Sequence, residues 1–177
     1  VIQASAWKFI INTDYGALNT LLKTLGIIQQ NVNWTPTPEA YFAWEIACGI
    51  FVTIPFVCFT ALSGLQSIDN SLYEAATVDG SNYWQKLFHI TLPLVKPSLT
   101  VATVLNIIYV FNSFPIVWTM TKGDPASRTD TLVTYLYKLA FYNGKQGEAA
   151  AVSVIGFLIL LVCASCYMVS TLKKGED

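Results

Sequence analysis

The side chains best placed for chemistry in this sequence are two carboxylates, Glu74 and Asp79, in a polar segment between two long apolar stretches. Ionised carboxylates form strong, charge-assisted hydrogen bonds with basic groups. The alternative role for Glu74 is a local one, in which its side chain closes the first turn of a helix. The two roles are compatible, so the pair predicts a surface that binds a basic partner.

Patterns typical of catalysis or metal binding are missing from the sequence. No GxxxxGK[ST] phosphate loop occurs, and the single histidine, His89, has no cysteine or carboxylate at metal-ligand spacing. Serine and histidine also lack the spacing of a nucleophile pair. All four cysteines lie inside apolar runs, which favours packing roles: Cys48, Cys58, Cys163 and Cys166. We therefore expect no catalytic residue, metal or cofactor in this chain itself.

A second group of polar side chains interrupts an apolar stretch further along: Asn106, Tyr109, Asn112 and Ser113. Positions 106, 109 and 113 share one helical face by their spacing, and 112 lies at its edge. Polar groups at mid-membrane face a neighbouring helix or a wet cavity rather than lipid. Two interpretations stay open: these residues line a solute path, or they join helices to each other.

The elements of the segment 66–98 can be read from its capping residues. Ser71 and Glu74 form a capping-box pattern at the start of one helix, and Gly80 can end that helix in a left-handed conformation. Asn82 can begin a second short helix, which we expect Pro93 to stop. Pro97 suits the first turn of the next helix. The segment therefore predicts two short helices joined by a tight turn.

Three stretches are apolar over the roughly 20 residues that a helix needs to cross a bilayer: 42–65, 99–120 and 149–172. Glu45 lies near the end of the first, and no charged residue lies in the middle of any of them. An ionised group there would cost on the order of 3 kcal/mol or more. In the second stretch, Pro115 predicts a kink. Three transmembrane helices follow from this pattern.

Composition excludes two other classes of protein. Hydrophobic residues make up 54% of the chain and charged ones 12%, which is typical of membrane proteins. A soluble helical domain would need polar faces, and 155–169 offers almost none. Lysines and arginines are scattered rather than clustered, which argues against a nucleic-acid partner.

The remaining segments complete the predicted organisation. Residues 1–38 fit the end of an earlier span followed by an interfacial helix at 17–28, and the prolines at 36 and 38 break helicity before 39–177. A further interfacial helix is expected at 131–142. The chain begins with Val1, and we expect it to be part of a longer protein. If 66–98 is cytoplasmic, the lysine and arginine distribution does not support that orientation.

The segment 66–98 resembles the EAA loop of ABC importer permeases. The shared positions are Glu74-Ala75-Ala76, Gly80, Ile90 and Leu92-Pro93 at fixed spacing, and Asp79, Phe88 and Pro97 match the sugar-importer branch. Ser81 replaces the usual alanine. The resemblance to maltose-type permeases extends to Pro55-Phe56, 121–125 and 131–141, with departures at Asp124 and Phe51. It covers nearly the whole chain but only the last three of the usual six core spans.

The resemblance implies an all-α integral membrane protein: three transmembrane helices of a type I ABC importer permease core with a cytoplasmic EAA coupling-helix hairpin. In that family the loop docks on a cytoplasmic ATPase and passes its motion to the membrane helices. The implied coupling residues are Glu74, Ala75, Ala76, Asp79 and Gly80. The implied partners are a second permease, two ATP-binding subunits that use ATP and Mg²⁺, and an extracellular or periplasmic solute-binding protein, in a bacterial or archaeal plasma membrane.

The resemblance also implies that the spans line a solute cavity, because Thr53 and Phe56 join the polar group at 106–113 in matching the cavity region of maltose-type importers. A sugar is the expected solute, although an oligosaccharide, a monosaccharide, a polyol and glycerol phosphate all stay open. A non-transport scaffold or sensor subunit that kept the docking loop is the alternative function.

Overall fold

The computed structural model describes residues 1–173, with side chains described as far as Thr171, and this part of the chain is helical without strands. The helices are α1 (Ile2–Ile10), α2 (Ala17–Thr24), α3 (Pro38–Gln66), α4 (Asn70–Val78), α5 (Tyr83–Lys86), α6 (Leu92–Phe111), α7 (Phe114–Met120), α8 (Leu132–Tyr137) and α9 (Gln146–Lys173). Two π-helical turns, Leu87–Thr91 and Lys138–Tyr142, follow α5 and α8.

Three helices are long and apolar enough to cross a membrane: Pro38–Gln66, the continuous helix Tyr83–Phe111, and Gln146–Thr171. The all-helical fold class with three membrane helices is therefore confirmed. Most of their apolar side chains are exposed within this chain, for example Phe59 and Phe157. Lipid or other helices must cover this surface, because exposing so much apolar surface to water is unfavourable.

The second span differs from the predicted 99–120. It begins at Tyr83 and ends at Phe111, and α7 is a separate helix whose first turn contains Pro115. Pro115 has no amide hydrogen for the carbonyl of Phe111, so the helix is interrupted there rather than kinked. As a result Ser113 lies outside α6, and the expected common helical face of 106, 109 and 113 is wrong.

The interfacial helix expected at 17–28 is shorter than predicted, because α2 ends at Thr24. Gly26 adopts a left-handed φ of 70°, and the amide of Ile27 donates to the carbonyl of Leu22. This arrangement closes a helix end. The helix expected at 131–142 is confirmed as α8 with its π turn, and Thr131 caps it through the amide of Thr134.

Contacts divide the chain into two units. The first contains Val1–Val52 and Phe111–Leu158, and the second contains Thr53–Val110 and the chain from Ile159 onward. In the first unit, Ala4, Ile11, Cys48, Ile116 and Met120 form a buried apolar cluster. The expected boundary at residue 38 coincides with the start of α3. That 1–38 includes the end of an earlier span stays a prediction.

The first unit also contains a buried amide that organises the connection between α2 and α3. Asn19 is only 2% exposed. Its amide nitrogen donates to the carbonyls of Thr13 and Val32, and its oxygen accepts from the indole of Trp34. A buried amide with these bonds satisfied holds the loop in one conformation.

Candidate functional site: the hairpin between the first two spans

The first helix of the hairpin, α4, begins at a cap that differs from the predicted one. Asp69 is the N-cap, and its carboxylate accepts a hydrogen bond of 2.9 Å from the amide of Ser71. The bonds from Ser71 hold the pKa of the Asp69 carboxyl below its usual value. The expected capping box of Ser71 and Glu74 is therefore wrong, because Asp69 already satisfies the first turn. The carboxylate of Glu74 is left for another role.

The turn after α4 forms around Gly80, as predicted. Gly80 has a φ of 75°, the left-handed region that other residues disfavour. Its amide donates to the carbonyl of Thr77, and the amide of Ser81 donates to the carbonyl of Ala76 over 2.9 Å. These two bonds form a Schellman motif, which ends α4 and fixes the direction of the chain.

The second arm of the hairpin begins at Asn82, also as predicted. The amide of Gln85 donates to the Asn82 side chain, and the amide of Asn82 donates to the Gln85 side chain, over 2.9 and 2.8 Å. This reciprocal pair is a capping box that starts α5. Both ends of the turn are thus fixed by local hydrogen bonds.

Pro93 does not stop the second arm, contrary to expectation. The chain continues from α5 through the π turn Leu87–Thr91 into α6, so the arm and the second span are one helix. In an α-helix the Pro93 ring would clash with the carbonyl of His89. The wider π turn immediately before it relieves this contact. The hairpin is therefore a short helix folded against the beginning of a spanning helix.

Side chains tie the two arms together. The hydroxyls of Tyr73 and Thr91 lie 2.9 Å apart, and the ammonium group of Lys86 donates to the hydroxyl of Thr77 over 2.6 Å. His89 contacts the Gln85 carbonyl through Nδ1, which agrees with a structural role. These two contacts cross between the arms and therefore limit the movement of α4 relative to the second arm.

The expected coupling residues lie together on this hairpin. Glu74, Ala75, Asp79 and Gly80 are exposed, and Ala76 is partly buried. None of the ion pairs within the described part of the chain involves Glu74 or Asp79. The exposed part of the hairpin therefore offers two carboxylates and two small residues, and the small residues let another helix approach closely.

The expected cavity residues do not all lie in one part of the structure. Asn106 is partly buried and donates to the carbonyl of Ala102 on its own helix, over 3.1 Å, while Tyr109 and Phe56 are about half exposed. Thr53 is partly buried. Asn112 and Ser113 lie in the break between α6 and α7, belonging to the first unit, whereas the other four belong to the second.

Sequence reasoning missed several residues that shape the hairpin. Asp69 was not predicted as a cap, although aspartate is one of the preferred N-cap residues. The pairs Tyr73 with Thr91 and Lys86 with Thr77 give no such signal, because the arms must first be folded together.

Comparison with known proteins places this arrangement in a family. Residues 8–172 match the family model described as "Binding-protein-dependent transport system inner membrane component". The chain belongs to this family of inner membrane transport components. A probable ABC transporter permease protein of Brucella suis biovar 1 (strain 1330) is 50% identical over 167 residues, 94% of this chain and 58% of the relative.

Two further relatives extend the family assignment. The trehalose/maltose transport system permease protein MalF of Thermococcus litoralis (strain ATCC 51850 / DSM 5473 / JCM 8560 / NS-C) is 36% identical over 170 residues, covering 95% of this chain and 56% of the relative. A crystal structure of a bacterial alginate ABC transporter, in complex with an alginate pentasaccharide-bound periplasmic protein, has a TM-score of 0.80 at 25% identity, covering 94% of this chain and 57% of that chain. The chain thus spans somewhat more than half the length of these relatives.

Proposed function

We propose that this chain is the membrane-embedded, carboxy-terminal part of a permease subunit of an ATP-driven importer, and that the hairpin couples ATPase motion to the membrane helices. The observation that carries the proposal is an exposed turn, fixed at both ends by local hydrogen bonds, whose second arm is continuous with a span. Family membership supports the same role.

The continuity of the second arm supports a direct mechanical route. Tyr83–Phe111 contains 29 residues, which corresponds to roughly 43 Å of helix. A displacement of the turn at Gly80 moves the start of this helix without a flexible joint, because Tyr73, Thr77, Lys86 and Thr91 hold the arms together. Rigid elements of this kind pass small movements over long distances.

The two exposed carboxylates supply the attachment. Glu74 and Asp79 have no ion partner within the described residues, so basic side chains of an ATPase subunit can pair with them. Ala75, Ala76 and Gly80 leave room for its backbone. The ATP and Mg²⁺ belong to that subunit, and two copies of it, a second permease and a solute-binding protein complete the proposed assembly in a bacterial or archaeal inner membrane.

A sugar is the proposed solute. Relatives named for trehalose/maltose and a solved transporter for alginate support this class. Amide and hydroxyl groups bind sugar hydroxyls, and aromatic rings pack against sugar faces. The proposed contacts are Thr53, Phe56, Asn106, Tyr109, Asn112 and Ser113. Asn106 retains its amide oxygen and one N–H for such contacts, because the bond to Ala102 uses one donor.

The experiment that tests the coupling role reconstitutes the full-length subunit with its partners in liposomes. We expect ATP hydrolysis to depend on loaded solute-binding protein, and Glu74→Lys to abolish this dependence by placing a cation against basic partner groups. Asp14→Lys makes the same charge change at an exposed carboxylate outside the hairpin, and we expect it to retain coupling. Normal transport by Glu74→Lys would refute the docking role and favour a scaffold or sensor.

A further inference from the structure

A groove of about 1010 Å³ runs between α6 and α9 in the second unit. Phe88, Leu92 and Leu99 give it an apolar wall, and Lys96 and Tyr167 bring a cation and a phenol into the same groove. Its volume is at the upper end of the roughly 300–1,000 Å³ of small-molecule pockets. The groove therefore combines space for an apolar chain with groups that bind an anion.

Lys96 has no counter-charge in the described part of the chain. Its side chain is partly buried, and none of the ion pairs among the described residues includes it. By contrast Lys138, which is also partly buried, pairs with Asp130 over 2.9 Å. A lysine in a largely apolar groove, with no counter-charge among the described residues, is suited to bind an anionic ligand.

Among the other polar groups of the groove, Tyr167 can offer a hydrogen to the same ligand, and the threonines cannot. Thr100 and Thr103 donate their hydroxyl hydrogens to the carbonyls of Lys96 and Leu99 on their own helix, each over 2.8 Å. They therefore have no hydrogen to offer a ligand. The Tyr167 hydroxyl forms no hydrogen bond with any described residue, which leaves its hydrogen available. The groove thus offers two donors, Lys96 and Tyr167, to a ligand that accepts.

The position of the groove favours a lipid. Lys96 lies where the polar hairpin segment 66–98 meets the apolar stretch that begins at Leu99, and Tyr167 lies near the end of another spanning helix. Lysine and tyrosine at the ends of spanning helices lie at the level of lipid headgroups, while apolar residues further along meet the acyl chains. Basic pockets between such helices bind anionic headgroups.

We propose that this groove binds one anionic phospholipid, with its phosphate on Lys96 and Tyr167 and an acyl chain against Phe88, Leu92 and Leu99. The ligand is part of the subunit's membrane environment and is distinct from the transported solute. Lipid binding goes beyond the coupling role of the hairpin and can be measured without a transport assay. If lipid binding is refuted, the coupling role can still be tested, and the reverse also holds.

The test is native mass spectrometry of the full-length transporter, purified, delipidated and titrated with phosphatidylglycerol, phosphatidylcholine or inorganic phosphate. We expect retention of phosphatidylglycerol over phosphatidylcholine. Lys96→Ala should weaken phosphatidylglycerol retention roughly fivefold, the contribution of one lysine at an anionic lipid surface. Lys96→Arg should restore it, and Lys23→Ala, which removes one exposed cation from α2, should leave it unchanged.

Several outcomes would overturn the proposal. Equal retention of the two lipids, or unchanged phosphatidylglycerol retention in Lys96→Ala, would remove the anion specificity. Competition by inorganic phosphate at equal concentration would identify a site for free phosphate rather than lipid. A photo-reactive residue at Leu92 that captures a transporter subunit instead of lipid would show that protein covers the groove.

Discussion

The hydroxyl of Thr121 donates a 2.7 Å hydrogen bond to Oε1 of Glu45, although the two residues are 76 positions apart. Glu45 is only 4% exposed, and its second oxygen has no hydrogen-bond partner among the described residues. Thr121 also lies 2.9 Å from the hydroxyl of Thr129. This threonine therefore connects the first span to the loop after α7.

We expect Thr121→Val to destabilise the protein by about 1–3 kcal/mol, because valine keeps the shape and leaves a buried carboxyl without its hydrogen bond. The measurement is thermal unfolding of the full-length subunit in detergent. Thr24→Val removes a hydroxyl bonded to its own helix on an exposed surface and should have little effect. Equal unfolding temperatures for Thr121→Val and the unmodified protein would contradict the connecting role.

We expect Gly80→Ala to strain the hairpin turn by about 1–2 kcal/mol, because its φ of 75° is unfavourable for a residue with a Cβ. No atom lies within 4 Å of the added carbon, so backbone strain is the whole effect. Faster hydrogen exchange at the amides of Gln85 and Lys86 would report it. Gly49→Ala, which also meets open space but lies inside α3, should leave the exchange of these two amides unchanged.

Gly64 is a point of close helix contact, where a side chain should separate α3 from α6. An added Cβ would lie 3.0 Å from Cβ of Ser98 and 3.1 Å from Cγ1 of Val95. We expect Gly64→Val to cost about 1–3 kcal/mol through overpacking. Thermal unfolding measures it, with Gly147→Val as the control, since nothing lies within 4 Å of that position. If Gly64→Val and Gly147→Val unfold at the same temperature, α3 and α6 can separate at this position without cost.

The contact between Tyr73 and Thr91 should appear as a coupling energy in a double-mutant cycle. We expect Tyr73→Phe and Thr91→Val to be non-additive by about 0.5–1.5 kcal/mol, the usual net value of one hydrogen bond. Unfolding of the single and double variants supplies the four energies. Strict additivity would mean that the arms of the hairpin are not tied at this pair.

The cap of α4 should respond to acid. Because the bonds from Ser71 lower the folded-state pKa of Asp69, its stabilisation is fully present above the unfolded pKa, near 4, and is lost as pH falls through the folded value. The protection of the Ser71 amide, which is its exchange rate relative to that of the unstructured chain at the same pH, should therefore stay high at neutral pH and fall below about pH 4. Asp69→Asn keeps a capping oxygen without ionising, so its protection should not show this acid step.

Sequence predicted the features that depend on neighbours in the chain or on the bilayer. Gly80 and Asn82 were assigned correctly because a left-handed turn and a helix cap are local requirements. Three spans were predicted because apolar length alone decides insertion. That Glu74, Ala75, Ala76, Asp79 and Gly80 contact an ATPase stays a prediction, as do the cavity roles.

The features that the sequence did not predict are of two kinds. Some depend on which of two candidate residues takes a role, and others depend on contacts that form only when distant segments fold together. Asp69 and Ser71 could both cap α4, and only the three-dimensional path selects the first. Pro93 lies within a continuous helix after a π turn, whereas Pro115 lies in the first turn of a new helix, so the residue type alone does not specify the outcome. The bond between Glu45 and Thr121 requires α3 and α7 to be adjacent, which no local pattern specifies.

The π turn at Leu87–Thr91 has a consequence for how related subunits can differ. Such a turn holds one residue more than an α turn, and one residue corresponds to a rotation of about 100° about the helix axis. Deleting a single residue there would change the direction of the hairpin relative to the lipid-facing surface of the same helix, and it would also bring the Pro93 ring against the carbonyl four residues before it. A change in the direction of the hairpin therefore requires a matching change at Pro93.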